Sequence, residues 1–88
     1  MPEISRFYGI IIYMYLKDHN PPHFHAKYND FEITISIENF AVLKGKLPSK
    51  ALALVIEWSS LHQEELLTNW KNLSDSEIGS FNKIEPLN

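Results

Sequence analysis

The sequence predicts an α+β domain in which an antiparallel meander of three to five strands carries one long helix. The first half of the 88-residue chain alternates apolar and polar residues between turn signals, as sequential strands with short connections do. The second half changes to helical periodicity and has no glycine or proline from Ser49 to Leu73. A chain of this length accommodates one core, so we expect residues 1–88 to form a single domain.

The first predicted strand is the apolar run from Tyr8 to Leu16. Three consecutive isoleucines, Ile10 to Ile12, are β-branched and favour extended backbone. Because nearly every residue of the run is apolar, we expect the strand to be covered on both faces and to lie centrally in the sheet.

The segment from His23 to Tyr28 predicts the second strand. It follows two consecutive prolines, which fix φ and remove two backbone donors, so the residues before it form a shaped loop. Successive side chains of a strand alternate between faces, and His23 and His25 should therefore share one face. Phe24 and Ala26 should point into the opposite layer.

Two more strands are predicted after a turn at Asn29-Asp30, where both residue types tolerate positive φ. From Phe31 to Glu38 apolar residues alternate with polar ones, the pattern of a strand with one face on a core. A second turn at Glu38-Asn39 leads into a segment from Phe40 to Lys46. Short connections between sequential strands favour the antiparallel meander.

One long helix is predicted from Ser49 to about Leu73. Placed at 100° intervals, five apolar side chains share one face, which should lie across the sheet: Ala51, Val55, Trp58, Leu66 and Leu73. After the helix, the cluster from Ser74 to Glu77 is typical of a helix N-terminus, but Gly79 should prevent much of a helix there. Residues 81–87 are expected to add a short edge strand, since a proline at position 86 fits only at an edge.

Composition excludes several classes of protein. The chain has no cysteine, which rules out disulfides, thiolate ligands and a cysteine nucleophile. The apolar run of residues 7–16 is too short to span a bilayer and no signal peptide opens the sequence, so we expect a cytoplasmic protein without membrane contact. A formal net charge of −3 argues against broad electrostatic binding to nucleic acid.

Four motifs carry a resemblance to a known family: residues 2–10, the segment Asp-His-Asn-Pro-Pro-His-Phe-His-Ala at 18–26, Leu-Lys-Gly-Lys-Leu-Pro at 43–48, and the tryptophan pairs Glu57-Trp58 and Asn69-Trp70. They resemble the small bacterial domain-of-unknown-function family 4160 over almost the whole chain. The resemblance implies two-gene, toxin–antitoxin-like operons and no established reaction. The leading hypothesis is therefore an interaction protein whose partner is a small protein or a second copy, and it leaves open whether the chain is an enzyme.

Three of the four histidines lie within seven residues, at His19, His23 and His25. On a strand, His23 and His25 project about 6.5 Å apart on the same face, and two imidazoles can lean onto one ion. His19 would supply a third ligand, and Asp18 or a helix carboxylate such as Glu65 would close the shell. One hypothesis is thus a protein or metallohydrolase that binds a divalent metal such as zinc. The alternative is a set of polar side chains on an exposed strand.

A ribonuclease that needs no cofactor is a further hypothesis. His23 or His25 would act as the base and another histidine as the acid. Lys27 or Lys46 would stabilise the charge of the phosphorane. This hypothesis makes RNA a partner of the chain.

His62 falls inside the apolar stripe of the helix, between Trp58 and Leu66, where a polar ring is costly unless it is paired. Glu65 and Asn69 lie near the same helical angle and would form a polar seam with it. If the helix covers the sheet face that carries the strand histidines, His62 becomes a third catalytic residue. The alternative is a satisfied core histidine. Either way we expect it to be partly buried and hydrogen-bonded to a strand or to the loop of residues 19–25.

Overall fold

The computed structural model describes residues 2–75 and 78–88. Its elements are five strands followed by two helices: β1 (Glu3–Phe7), β2 (Ile10–Tyr13), β3 (His23–Tyr28), β4 (Phe31–Ser36), β5 (Val42–Gly45), α1 (Ser49–Leu61) and α2 (Gln63–Ser74). The strands form one antiparallel sheet in sequence order, which confirms the predicted α+β meander. The cluster of residues 74–77, which resembles a helix N-terminus, includes Ser76 and Glu77, and these two lie outside the described residues. In the described ranges no helix is long and apolar enough to cross a bilayer.

The apolar run predicted as one strand contains a hairpin turn. Tyr8 and Gly9 have φ values of 50° and 79°, as a two-residue turn between antiparallel strands requires. β1 therefore pairs with β2, with Phe7 opposite Ile10. The prediction of a strand from Tyr8 to Leu16 is wrong at both ends, although β2 does lie inside the sheet.

One face of the sheet carries the core. Phe24 and Ala26 are fully buried there, and the Trp58 indole of α1 lies 6.2 Å from the Phe24 ring and 5.4 Å from the Phe7 ring, measured between centroids. The prediction that Phe24 and Ala26 point into the helix layer is confirmed. It follows that α1 covers the face opposite to His25.

The predicted single helix is two helices, because the backbone at His62 leaves the helical region with φ −122° and ψ 24°. The His62 amide donates to the Ser59 carbonyl at 3.2 Å, which tightens the last turn of α1. α2 then begins with Glu64 and Glu65 in its first turn, where carboxylates favour the positive end of the helix dipole. The apolar face is as predicted: all five of its members are buried.

Residues 81–87 form no strand, so the predicted edge strand is wrong. The segment nevertheless lies against β1, since the Ile84 amide donates to the Ile4 carbonyl at 2.9 Å. The Trp58 indole N–H also donates to the Glu85 carbonyl at 2.8 Å. These bonds fix the tail along the edge of the sheet and over the core tryptophan.

Candidate metal centre

The connection between β2 and β3 brings Asp18 over the end of the sheet. The Lys17 amide donates to the Leu73 carbonyl at 3.0 Å, and this bond ties the loop to α2. At the other end of the loop, the Pro22 carbonyl accepts from the Ile37 amide at 3.0 Å. The loop is thus held on both sides, and the Asp18 side chain lies beside the first residues of β3.

Asp18, His23 and His25 form a cluster in which three ligand atoms converge. Asp18 Oδ2 lies 2.8 Å from His23 Nε2 and 3.3 Å from His25 Nε2. All three atoms are within 4.8 Å of one another. The side chains are only 10%, 16% and 18% exposed for His23, His25 and Asp18, so the cluster is nearly enclosed.

The other polar atom of each of these side chains has its own hydrogen-bond partner. Asp18 Oδ1 accepts from the His19 amide at 2.8 Å. The Nδ1 atom of His23 lies 2.8 Å from the Pro21 carbonyl oxygen, and that of His25 lies 3.2 Å from Thr34 Oγ1. These outer contacts fix the orientation of the three groups and leave one atom of each facing the others.

The proton on His23 can be placed from the geometry. A carbonyl oxygen only accepts, so the bond to Pro21 requires the proton on Nδ1. In the neutral ring Nε2 then presents a lone pair to Asp18 Oδ2 at 2.8 Å, and two lone pairs repel at that distance. A cation between the two atoms, either a proton or a metal ion, removes the repulsion. Histidine ligands of metals typically donate their second N–H to a carbonyl in this way.

The electrostatics of the cluster favour the ligand forms of His25 and Asp18. Burial lowers the pKa of His25, against the opposing effect of its hydrogen bond to Asp18. Burial raises the pKa of Asp18, but the His19 amide, which donates to Oδ1, and the two imidazoles beside Oδ2 outweigh this effect, and the pKa is lowered. Neutral imidazole and ionised carboxylate are the forms that bind metal.

Aromatic rings surround the cluster. The Trp70 ring of α2 lies 5.0 Å from the His23 ring, and the Tyr13 ring stacks on His25 at 5.0 Å with an interplanar angle of 14°. Tyr15 meets His25 edge-on at 5.0 Å. Such a shell holds the imidazole planes and limits solvent around them.

Two of the predicted site residues lie elsewhere. The His62 ring packs 5.4 Å from the Trp58 ring, and its Nδ1 atom pairs with Glu65 Oε1 at 2.7 Å. His62 is partly buried, as expected, but the hydrogen bond described for its side chain is to Glu65 and not to a strand. Because α1 covers the opposite face of the sheet, the anticipated convergence with the strand histidines does not occur.

The remaining candidates also separate from the cluster. The structure brings Asp18, and not the exposed His19, to the third ligand position. Asn69 is buried and exchanges two hydrogen bonds with Asn82, at 2.8 and 2.9 Å, so it holds the tail. Lys27 and Lys46 are exposed. The contact between Thr34 and His25 was not predicted from the sequence. Which residues of β3 and β4 face each other depends on the hairpin register, which the sequence did not specify.

A family model described as a domain of unknown function (DUF4160) matches residues 9–71, a range that contains the whole cluster. No curated protein and no solved structure matches the chain significantly. The match covers most of the chain, from the turn before β2 almost to the end of α2. The chain therefore belongs to the DUF4160 family of domains of unknown function.

Proposed function

We propose that this protein binds a divalent metal ion through Asp18 Oδ2, His23 Nε2 and His25 Nε2. The observation that carries the proposal is the convergence of one carboxylate oxygen and two imidazole nitrogens, with His23 Nδ1 held by the Pro21 carbonyl. The outer atoms of all three groups are already bonded, so little reorganisation would accompany binding. Two imidazoles and one carboxylate suit zinc and other first-row divalent metals.

Three protein ligands leave a coordination position for water or a substrate. Structural zinc sites are usually closed by four protein ligands, whereas catalytic sites keep one position open. A metal at this position would lower the pKa of a bound water to roughly 7, as in zinc hydrolases. The ligand set therefore favours hydrolytic chemistry over a purely structural role.

Calorimetric titration of the chelator-stripped chain with zinc chloride tests the proposal. We expect one ion per chain, and we expect His23→Ala and His25→Ala to abolish uptake. His62→Ala is the matched control, because His62 is also a half-buried histidine beside a carboxylate yet lies outside the cluster. A wild-type chain that takes up no metal, or strand-histidine variants that bind like the wild type, would contradict the proposal.

The metal-independent ribonuclease hypothesis predicts instead that the same variants lose an RNA-cleaving activity that needs no metal. If the chain cleaves RNA in excess chelator and His23→Ala abolishes the cleavage, the histidines act as acid and base without a metal. RNA cleavage that requires added zinc would instead indicate that the cluster binds a metal and uses it to cleave RNA.

A protein partner is a second candidate, favoured by the exposed edge strand β5. Val42 and Leu43 are 48% and 45% exposed, and an edge strand offers unpaired backbone groups to another chain. We propose that a small partner from a toxin–antitoxin-like pair adds a strand here in the cytoplasm. Leu43→Lys should then prevent co-purification of the neighbouring gene's product, whereas Leu61→Lys on the exposed end of α1 should not. Equal recovery with both variants would argue against β5.

A further inference from the structure

A groove of about 240 Å³ lies beside the candidate metal centre. The strand register places Tyr13, His25, Thr34 and Lys44 in one row across β2 to β5, on the face that α1 leaves uncovered. All four side chains line the groove. His25 is therefore shared, since one of its ring nitrogens belongs to the cluster and the ring also forms a wall of the groove.

The charges around the groove favour an anion once a metal is bound. A divalent ion with one carboxylate ligand keeps a net charge of +1, and the Lys44 ammonium group adds a second positive charge at the other end of the row. Glu32 also lines the groove, and its negative charge acts on Tyr13 and His25. It cancels the charge of Lys44, so the groove becomes net positive only when the metal is bound.

The walls and the volume of the groove suit a small polar group. Thr34 and Tyr15 contribute hydroxyl groups, and Tyr13 contributes a ring stacked on His25. A groove of about 240 Å³ accommodates a small anionic group such as phosphate or acetate.

We propose that the groove binds a small molecule through an oxyanion, either a phosphate or a carboxylate group, which reaches the open position of the metal while Lys44 holds its charge. This inference rests on the proposed metal site. Lys44 is thus proposed to bind the anion. Its position on an exposed edge strand would not alone indicate such a role.

Visible absorption of the cobalt-loaded chain tests the inference, because an anion that enters the coordination shell changes the spectrum of the metal. Inorganic phosphate and acetate are titrated separately, which distinguishes the two oxyanions. We expect a saturable spectral change with at least one of the two anions. Lys44→Met should reduce the affinity for that anion about tenfold, the effect of losing one hydrogen bond to a charged group. Lys46→Met is the control, since Lys46 follows β5 and does not line the groove.

The outcomes separate the two proposals. A wild-type chain that takes up no cobalt overturns the metal site and this inference together. A cobalt-loaded wild type that responds to neither anion overturns the inference alone. The inference also fails if Lys44→Met binds cobalt and the anion like the wild type. It fails equally if Lys44→Met and Lys46→Met reduce the affinity for the anion by the same factor.

Discussion

Replacing Asp18 with asparagine separates the metal hypothesis from a purely structural role of the cluster. In Asp18→Asn the amide oxygen can still accept from the His19 amide, and the new NH₂ group can donate to the lone pair on His23 Nε2. The metal-free variant should therefore differ from the wild type by no more than about 1 kcal/mol in free energy of unfolding. A neutral amide is a poor substitute for a carboxylate ligand, so metal-dependent stabilisation should disappear.

The size of that stabilisation follows from linkage. A ligand that binds only the native state at about 100 times its dissociation constant adds about 2.7 kcal/mol. For a domain of 60–100 residues, each kcal/mol raises the melting temperature by roughly 4–8 °C, so zinc should raise that of this 88-residue chain by about 10–20 °C. Asp18→Asn should show almost none of this rise.

Thermal unfolding followed by circular dichroism, with chelator and with added zinc, measures both quantities. His19→Ala is the control, because the His19 ring is exposed and only its backbone amide contacts Asp18. It should keep the full rise in melting temperature. The reasoning fails if zinc leaves the wild type unchanged, or if Asp18→Asn and His19→Ala respond to zinc alike.

Three predictions concern the fold. Trp58→Ala should cost about 3–5 kcal/mol in urea unfolding because the indole is fully buried, whereas Leu61→Ala, 68% exposed in the wild type, should stay within about 0.5 kcal/mol. Gly45→Ala should cost about 2 kcal/mol or more, since φ is +79° and a Cβ would collide with a backbone carbonyl of β4. Gly79 also has a positive φ, +57°, but among the described residues the nearest atom to a Cβ there lies 3.6 Å away, so Gly79→Ala should cost less, and equal losses would refute this. Burial raises the pKa of Tyr13 to about 12, above the ordinary value of 10.0, so the unfolded chain releases this proton first and stability should fall as the pH rises from 10 towards 12. Tyrosinate absorbance should show the Tyr13 phenol titrating at about pH 12, and the reasoning fails if no tyrosine titrates there.

Much of the sheet could be predicted from the sequence because β3 and β4 follow simple rules. Alternation from His23 to Tyr28 and a turn pair at Asn29-Asp30 determine the strand period and the hairpin. The turn at Tyr8-Gly9 could not be predicted as easily, because a tyrosine rarely adopts positive φ and the surrounding residues are uniformly apolar. The break at His62 lacks glycine and proline, and its main signal is the pair of glutamates that follows.

Part of the candidate site could be predicted because it lies on a strand with regular alternation. The spacing of His23 and His25 determines that both rings share a face, since a strand alternates with period two. Neither spacing nor composition could decide between Asp18 and His19 as the third member. That choice depends on how the β2–β3 connection folds back, which its contacts with Leu73 and Ile37 determine. Those contacts are distant in sequence and leave no local pattern.

The two edges of the sheet differ in a way that limits how the chain can assemble. β1 meets the tail through the bond from Ile84 to Ile4, while every residue of β5 is exposed. A sheet with two free edges can add chains indefinitely and grow into a fibre. If the tail keeps β1 from pairing, β5 is the edge left for a second copy of this chain, and two copies joined through β5 leave no free edge for a third.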